Sequence, residues 1–142
     1  MILISHRGNI NGRIPEEENN PKYIKDTLTL GYDVEVDVWF VDNKFYLGHD
    51  GPTYLVSSTF LQGNRLWIHC KNPAALEALK FSKCNYFYHE TDTVALTSHK
   101  FIWAYPGKQP IKNSIAVMPE IGNDDITQCI GICSDYIQNY RQ

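Results

Sequence analysis

The chain has 142 residues and a mass of 16.4 kDa, with 43% hydrophobic and 20% charged residues. That is one globular domain over residues 1–142, and it excludes a disordered tail. Lys and Arg total 13 and Asp and Glu total 16, a formal charge of -3, so no basic field exists for a nucleic acid backbone and no nucleic acid partner is expected. No apolar run reaches the ~18 residues that cross a bilayer, so no stable membrane anchor is expected.

The opening MILISHRG has no basic start and no small-residue cleavage pattern, and reads as a strand rather than a signal peptide. Eight short runs rich in Val, Ile, Tyr, Phe and Trp predict strands: Ile2–Ser5, Asp33–Phe40, Lys44–His49, Arg65–Cys70, Asn85–Glu90, Phe101–Tyr105, Ser114–Met118 and Ile130–Asp135. Several are apolar on both faces, as in a buried parallel sheet. Between them, Pro21–Leu30 predicts a helix stopped by Gly31, and Asn72 caps a helix over Pro73–Ser82. Asp92 is in place to cap a short third helix through Ser98, and a turn is expected around Ser57–Leu61. The segments Gly107–Asn113 and Pro119–Gln128 read as loops. Of the four cysteines, Cys129 and Cys133 lack a second pair at metal-ligand spacing, so with Cys70 and Cys84 they read as reduced core thiols of a cytoplasmic protein.

Eight strand runs alternating with connectors predict a reduced (β/α)8 TIM-type barrel with several helices shortened to loops. At about 18 residues per unit the chain is far below the roughly 250 residues usual for such a barrel, and a smaller open α/β sheet is the structural alternative. A barrel lacking helices leaves outer apolar surface that a homodimer would cover.

Polar residues gather at the C-terminal ends of the runs: Ser5-His6-Arg7-Gly8, Glu35-Val36-Asp37, Gly48-His49-Asp50, His69-Cys70-Lys71-Asn72, His89-Glu90, Pro119-Glu120 and Ser134-Asp135. Four of the five histidines are there, with only His99 elsewhere on the expected surface, and in α/β barrels this rim carries catalytic groups. Strand alternation puts Glu35 and Asp37 on one face with Val34, Val36 and Val38 on the other, and likewise pairs His69 with Lys71. Two inward carboxylates suit Mg²⁺ or Ca²⁺, and the imidazole admits Mn²⁺ or Zn²⁺. Val41-Asp42-Asn43 reads as a tight turn, which makes an antiparallel hairpin and lays Glu35 and Asp37 across from His49 and Asp50.

This ordered set of motifs resembles the glycerophosphodiester phosphodiesterase family of the phospholipase-C-like superfamily, in a short form. The matching elements are His6-Arg7-Gly8, Glu18-Asn19, Glu35-Val36-Asp37 and His49-Asp50, dense over residues 2–72. Where the family has Glu-x-Lys, this chain has His69-Cys70-Lys71, and Ser134-Asp135-Tyr136 resembles the closing Thr-Asp. The resemblance implies a role in lipid metabolism: metal-dependent hydrolysis of a small glycerol-type phosphodiester, by way of a cyclic phosphate where the substrate's own hydroxyl attacks. It implies His6 and His49 as general acid and base, with Arg7 and Lys71 on the phosphate oxygens. Glu35 and Asp37 would be metal ligands, His69 would stand in the third ligand position, and Glu18 would anchor the metal or the glycerol end. Trp103, with Tyr105, is a candidate wall of the substrate pocket. Two rivals stand beside this reading: a phospholipid-cleaving relative that stops at a cyclic phosphate, and a non-catalytic phosphate- or sugar-binding module on a degenerate barrel.

Overall fold

The computed structural model describes residues 1–142. Ten strands form one mixed sheet: β1 (Ile2–His6), β2 (Asp33–Val41), β3 (Lys44–Leu47), β4 (Tyr54–Val56), β5 (Leu66–Cys70), β6 (Asn85–Tyr88), β7 (Val94–Leu96), β8 (Ile102–Ala104), β9 (Ile115–Val117) and β10 (Gly131–Ser134). Four helices accompany them: α1 (Pro21–Thr29), α2 (Ser58–Leu61), α3 (Pro73–Leu79) and α4 (Pro119–Gly122), and a 3-10 turn at Ile137–Tyr140 closes the chain.

Seven strands run parallel in the order β6-β5-β2-β1-β10-β9-β8. The antiparallel hairpin β3-β4 extends from the far half of β2, and β7 lies antiparallel on β8. The reduced (β/α)8 barrel is therefore not the fold: this is a mostly-β sheet curled into a half-barrel. Its physical reason is chain length. Only α1 and α3 exceed four residues, and both cover the β1–β2–β5–β6 half. The connections from β8 to β9 and from β9 to β10 carry no helix longer than the single turn α4, and outward Ala104 and Ala116 are buried without one.

Alternation along the parallel strands divides the core in two. Val34, Val36, Val38, Leu66, Ile68 and Cys70 face outward and pack with Ile24 of α1 and Ala75 and Leu79 of α3. Ile4, Trp67, Phe87, Trp103, Ile115, Val117 and Cys133 fill the concave side. Both helices start where the sequence predicts, but α1 ends at Thr29 and α3 at Leu79, one and three residues short of the expected Leu30 and Ser82. Asn20 caps α1 by accepting from Lys22 N, Pro21 takes its first position, and Gly31 follows its end at φ +94°. Asn72 accepts from Ala75 N to cap α3; it also accepts from Phe40 N and donates to Phe40 O, tying α3 to the end of β2.

Two strands were not expected. Thr93–Ser98 forms no helix capped by Asp92; β7 occupies it, because its pairing with β8 outweighs the local helix-forming Ala and Leu. Tyr54–Val56 extends the hairpin. The turn expected at Ser57–Leu61 closes into the single helical turn α2, capped by Ser57, and α4 interrupts the loop expected over Pro119–Gln128. Asp42 and Asn43, at φ 51° and 61°, make the hairpin turn between Val41 and Lys44.

Between β6 and the β7–β8 pair there is no ladder. Ser98 bridges the seam with three bonds: its N–H donates to Tyr86 O (2.8 Å), its Oγ accepts from Tyr86 N (2.9 Å) and donates to Cys84 O (2.9 Å). Exposed His99 adds a bond from Nε2 to Lys83 O at 2.9 Å.

Candidate active site

Because the long strands are parallel, their C-terminal ends open on one side. A cleft of about 290 Å³ lies there, lined by His6, Arg7, Glu35, His49, His69, Lys71, His89, Glu90, Trp103, Tyr105 and Val117. Register does the gathering: His6 is the partner of Glu35 across β1–β2, and Asp37 is the partner of His69 across β2–β5.

Glu35, Asp37 and His69 converge, with one ligand atom from each within 4.8 Å of the others. His69 Nδ1 is 3.2 Å from Asp37 Oδ1 and 3.9 Å from Glu35 Oε1. Its other nitrogen, Nε2, lies 3.2 Å from the carbonyl oxygen of His89. A carbonyl only accepts, so Nε2 carries the hydrogen, and in the neutral ring Nδ1 presents a lone pair to two carboxylates. That contact is favourable when the ring is protonated or when a cation lies between. Glu35 Oε2 and Asp37 Oδ1 are also buried without a hydrogen-bond partner. Ligand atoms ~2.1 Å from one ion stand about 3–4 Å apart, and a metal-bound imidazole usually donates its second N–H to a carbonyl or carboxylate. The donor set therefore fits a divalent ion.

The two carboxylates are pushed in opposite directions. Burial, then the charge of Asp37, drives Glu35 well above the ordinary carboxyl value. Burial also acts to raise Asp37, but His69, Arg7 and the amide of Asn19 outweigh it and hold Asp37 far below. Asn19 both donates to Asp37 Oδ2 (2.9 Å) and accepts from Asp37 N (2.9 Å).

His6 Nδ1 donates to Asp135 Oδ1 at 2.8 Å, and Nε2 faces Glu35 Oε2 at 3.7 Å. Asn9 Nδ2 donates to the same Asp135 oxygen at 2.8 Å. Burial raises the Asp135 pKa, but the bond from His6 leads the causes that bring it below normal. An ionised carboxylate on Nδ1 fixes the tautomer and leaves Nε2 as the free base. His49 repeats the pattern at the rim, with Nδ1 2.8 Å from Asp50 Oδ1, although both residues are exposed.

Arg7 sits at φ 58°, a left-handed conformation that is costly for a long side chain. This turns its guanidinium over the acidic residues, with Nε 3.0 Å from Asp37 Oδ2 and Nη1 3.7 Å from Glu18 Oε2. Gly8 follows at φ 97°, and a Cβ there would lie 2.4 Å from the Tyr23 ring, so the His-Arg-Gly turn requires glycine on both counts. Lys71, one residue past β5, also lines the cleft.

Not every expected residue joins the cleft. Asp37 is fully buried behind it. Glu18 lies in a neighbouring cavity of about 330 Å³ that shares Arg7 and His49, and it is tied to Arg13 (2.8 Å) and Asn9 (3.0 Å). Burial would raise its pKa, but the bonds from Arg13 and Asn9 keep it below normal. Trp103 is floor rather than wall, 2% exposed and packed on Trp67 and Phe87. Glu120 lies outside, accepting from Ser134 and Tyr140. The sequence reading gave no role to Asn9 or Asn19. Both follow the first strand in the segment before α1, and their partners are distant in sequence.

Comparison of this chain with protein-family models, curated proteins and solved structures finds no match.

Proposed function

We propose that the protein hydrolyses phosphodiesters of small polar alcohols, of the glycerol type, with a divalent ion held by Glu35, Asp37 and His69. The observation that supports this most is the His69 ring: its Nε2–H is committed to His89 O while Nδ1 faces two carboxylates, beside the His6–Asp135 pair. When bound, the ion neutralises the phosphoryl oxygens, which otherwise repel a nucleophile.

In this reading Arg7 and Lys71 hold non-bridging oxygens and offset the charge that grows on them. His6 Nε2 takes the proton of the attacking hydroxyl as the new P–O bond forms. His49, in its protonated form, gives a proton to the departing alkoxide as the old P–O bond breaks. If the attacking hydroxyl belongs to the substrate the product is a cyclic phosphate, and if it is water the product is a monoester. The cleft is at the small end of ligand sites, which supports a compact headgroup over a whole lipid.

A non-catalytic phosphate-binding module is the second reading, and the imidazole in the third ligand position favours it. The test is hydrolysis of glycerophosphocholine and bis(p-nitrophenyl) phosphate after chelation and with Mg²⁺, Ca²⁺, Mn²⁺ or Zn²⁺ restored. Turnover that returns with metal and is lost in His6→Ala is the expected result. A folded protein that binds phosphate but turns over nothing with any ion refutes the hydrolase and leaves the module.

A further inference from the structure

Two buried polar atoms in the cleft are left over by the proposed acid, base and ligand roles. Tyr105 Oη and His89 Nδ1 are both enclosed, and neither has a hydrogen-bond partner. Both residues line the cleft. Each stands one residue beyond a strand, His89 after β6 and Tyr105 after β8. Their rings are stacked, with centroids 3.8 Å apart and planes 22° from parallel. His89 is further held by its carbonyl, which accepts from His69, and its ring lies 5.2 Å from the ring of His69. Both residues are partly exposed at the cleft, while these two polar atoms are not.

We propose that Tyr105 and His89 form a phosphoryl-binding edge, the phenol O–H and the imidazole Nδ1–H donating to non-bridging oxygens of the bound phosphoester. The proposal rests on the phosphoester reading of this cleft and adds two anchoring residues to it. Phosphoryl oxygens only accept, so a phosphoester satisfies the phenol O–H and, in its Nδ1–H tautomer, the imidazole at once. Arg7 and Lys71 line the same cleft and supply positive charge for an anion, and the carboxylates of Glu35 and Glu90 line it as well. In the free protein the cost of two unpartnered polar atoms is carried by the fold, an arrangement typical of a site formed before its ligand arrives.

The test uses the full chain with Mg²⁺ and again in chelator, with inorganic phosphate as probe. Affinity is read by calorimetry, kcat and KM with bis(p-nitrophenyl) phosphate, and Tm by calorimetric melting. Tyr105→Phe keeps the ring and removes the donor; His89→Phe keeps the stack and removes the imidazole. The expected result is roughly tenfold weaker phosphate binding in Tyr105→Phe, a matching fall in kcat/KM, and an unchanged or higher Tm, since the hydroxyl has no protein partner to lose. His89→Phe should weaken phosphate binding by about fivefold. Phosphate affinity within twofold of wild type in Tyr105→Phe overturns the edge, and so does a loss of affinity accompanied by a Tm several degrees lower. Weaker phosphate binding in both variants of a protein with no turnover supports the edge while refuting the hydrolase. Full activity in Tyr105→Phe does the reverse.

Discussion

Glu35→Gln separates a site that waits for a cation from one that is complete by itself. Glu35 and Asp37 are both buried, and their ligand oxygens lie within 4.8 Å of each other. At an effective dielectric of about 20, two like charges 4.8 Å apart repel by about 3.5 kcal/mol. Arg7 and Lys71 attract Glu35 and offset part of this, so the neutral amide should stabilise the metal-free protein by about 1–2 kcal/mol, or about 4–8 °C in Tm for a domain of this size. The sign with pH follows from the direction of the shift. A carboxyl raised by burial and by Asp37 keeps its proton in the folded state where the unfolded chain has lost it. Its contribution to stability therefore falls as pH rises from about 4.3 through the raised value. The Tm advantage of Glu35→Gln should accordingly be small in acid and grow toward pH 8. With ion at a hundredfold its Kd, wild type should gain about 2.7 kcal/mol and the variant far less. Scanning calorimetry in chelator and in each ion, at pH 5 and pH 8, measures all of this. A variant that melts below wild type in chelator at pH 8, or that gains as much from metal, refutes the reasoning.

Asp135→Asn replaces the acceptor on His6 Nδ1 with a group that can present its amide instead. A charge-assisted hydrogen bond of this kind is worth ~1.5–3 kcal/mol, so kcat/KM should fall about 10- to 100-fold in a steady-state assay, with phosphate binding retained. Because the Asp135 pKa is held below normal, the stability this carboxylate adds is present above about pH 3.9 and lost as pH falls through its folded value, and the variant should lack that acid-side loss in a Tm–pH profile. Asn72→Ala removes the α3 cap and both bonds to Phe40; a loss of about 2–3 kcal/mol is expected in urea titration, with an unchanged m-value.

Eight of the ten strands were legible because each lies in a run rich in β-branched or aromatic residues. The two missed strands, no shorter than β8 and β9, sit at antiparallel edges, where pairing with a neighbour decides the conformation. Closure was misjudged for a different reason. Eight runs suggested a barrel, but a (β/α)8 barrel needs a helix packed outside each strand, and the chain beyond β6 forms only the single turn α4 and a 3-10 turn. The metal-ligand candidates were legible from period-two alternation in Glu35-Val36-Asp37 and His69-Cys70-Lys71, since parity along a strand survives any change in topology. Asn19 on Asp37, Asn9 on Asp135 and the Tyr105–His89 stack were not legible. They join positions 18, 126 and 16 residues apart through turns and pairings that no local pattern encodes.

The seam beside β6 gives the cleft one compliant wall. Every other junction along the parallel path is a ladder, while this one depends on Ser98 and His99. His89 extends from one side of the seam and Tyr105 from the other, so their ring stack is the inner face of the same gap. A sheet that closed fully would fix the width of its mouth by strand number. Here the gap is spanned by the bonds of Ser98 and His99 and by the Phe87–Trp103 and His89–Tyr105 ring contacts, while the ligand cluster across β1, β2 and β5 is held by continuous ladders.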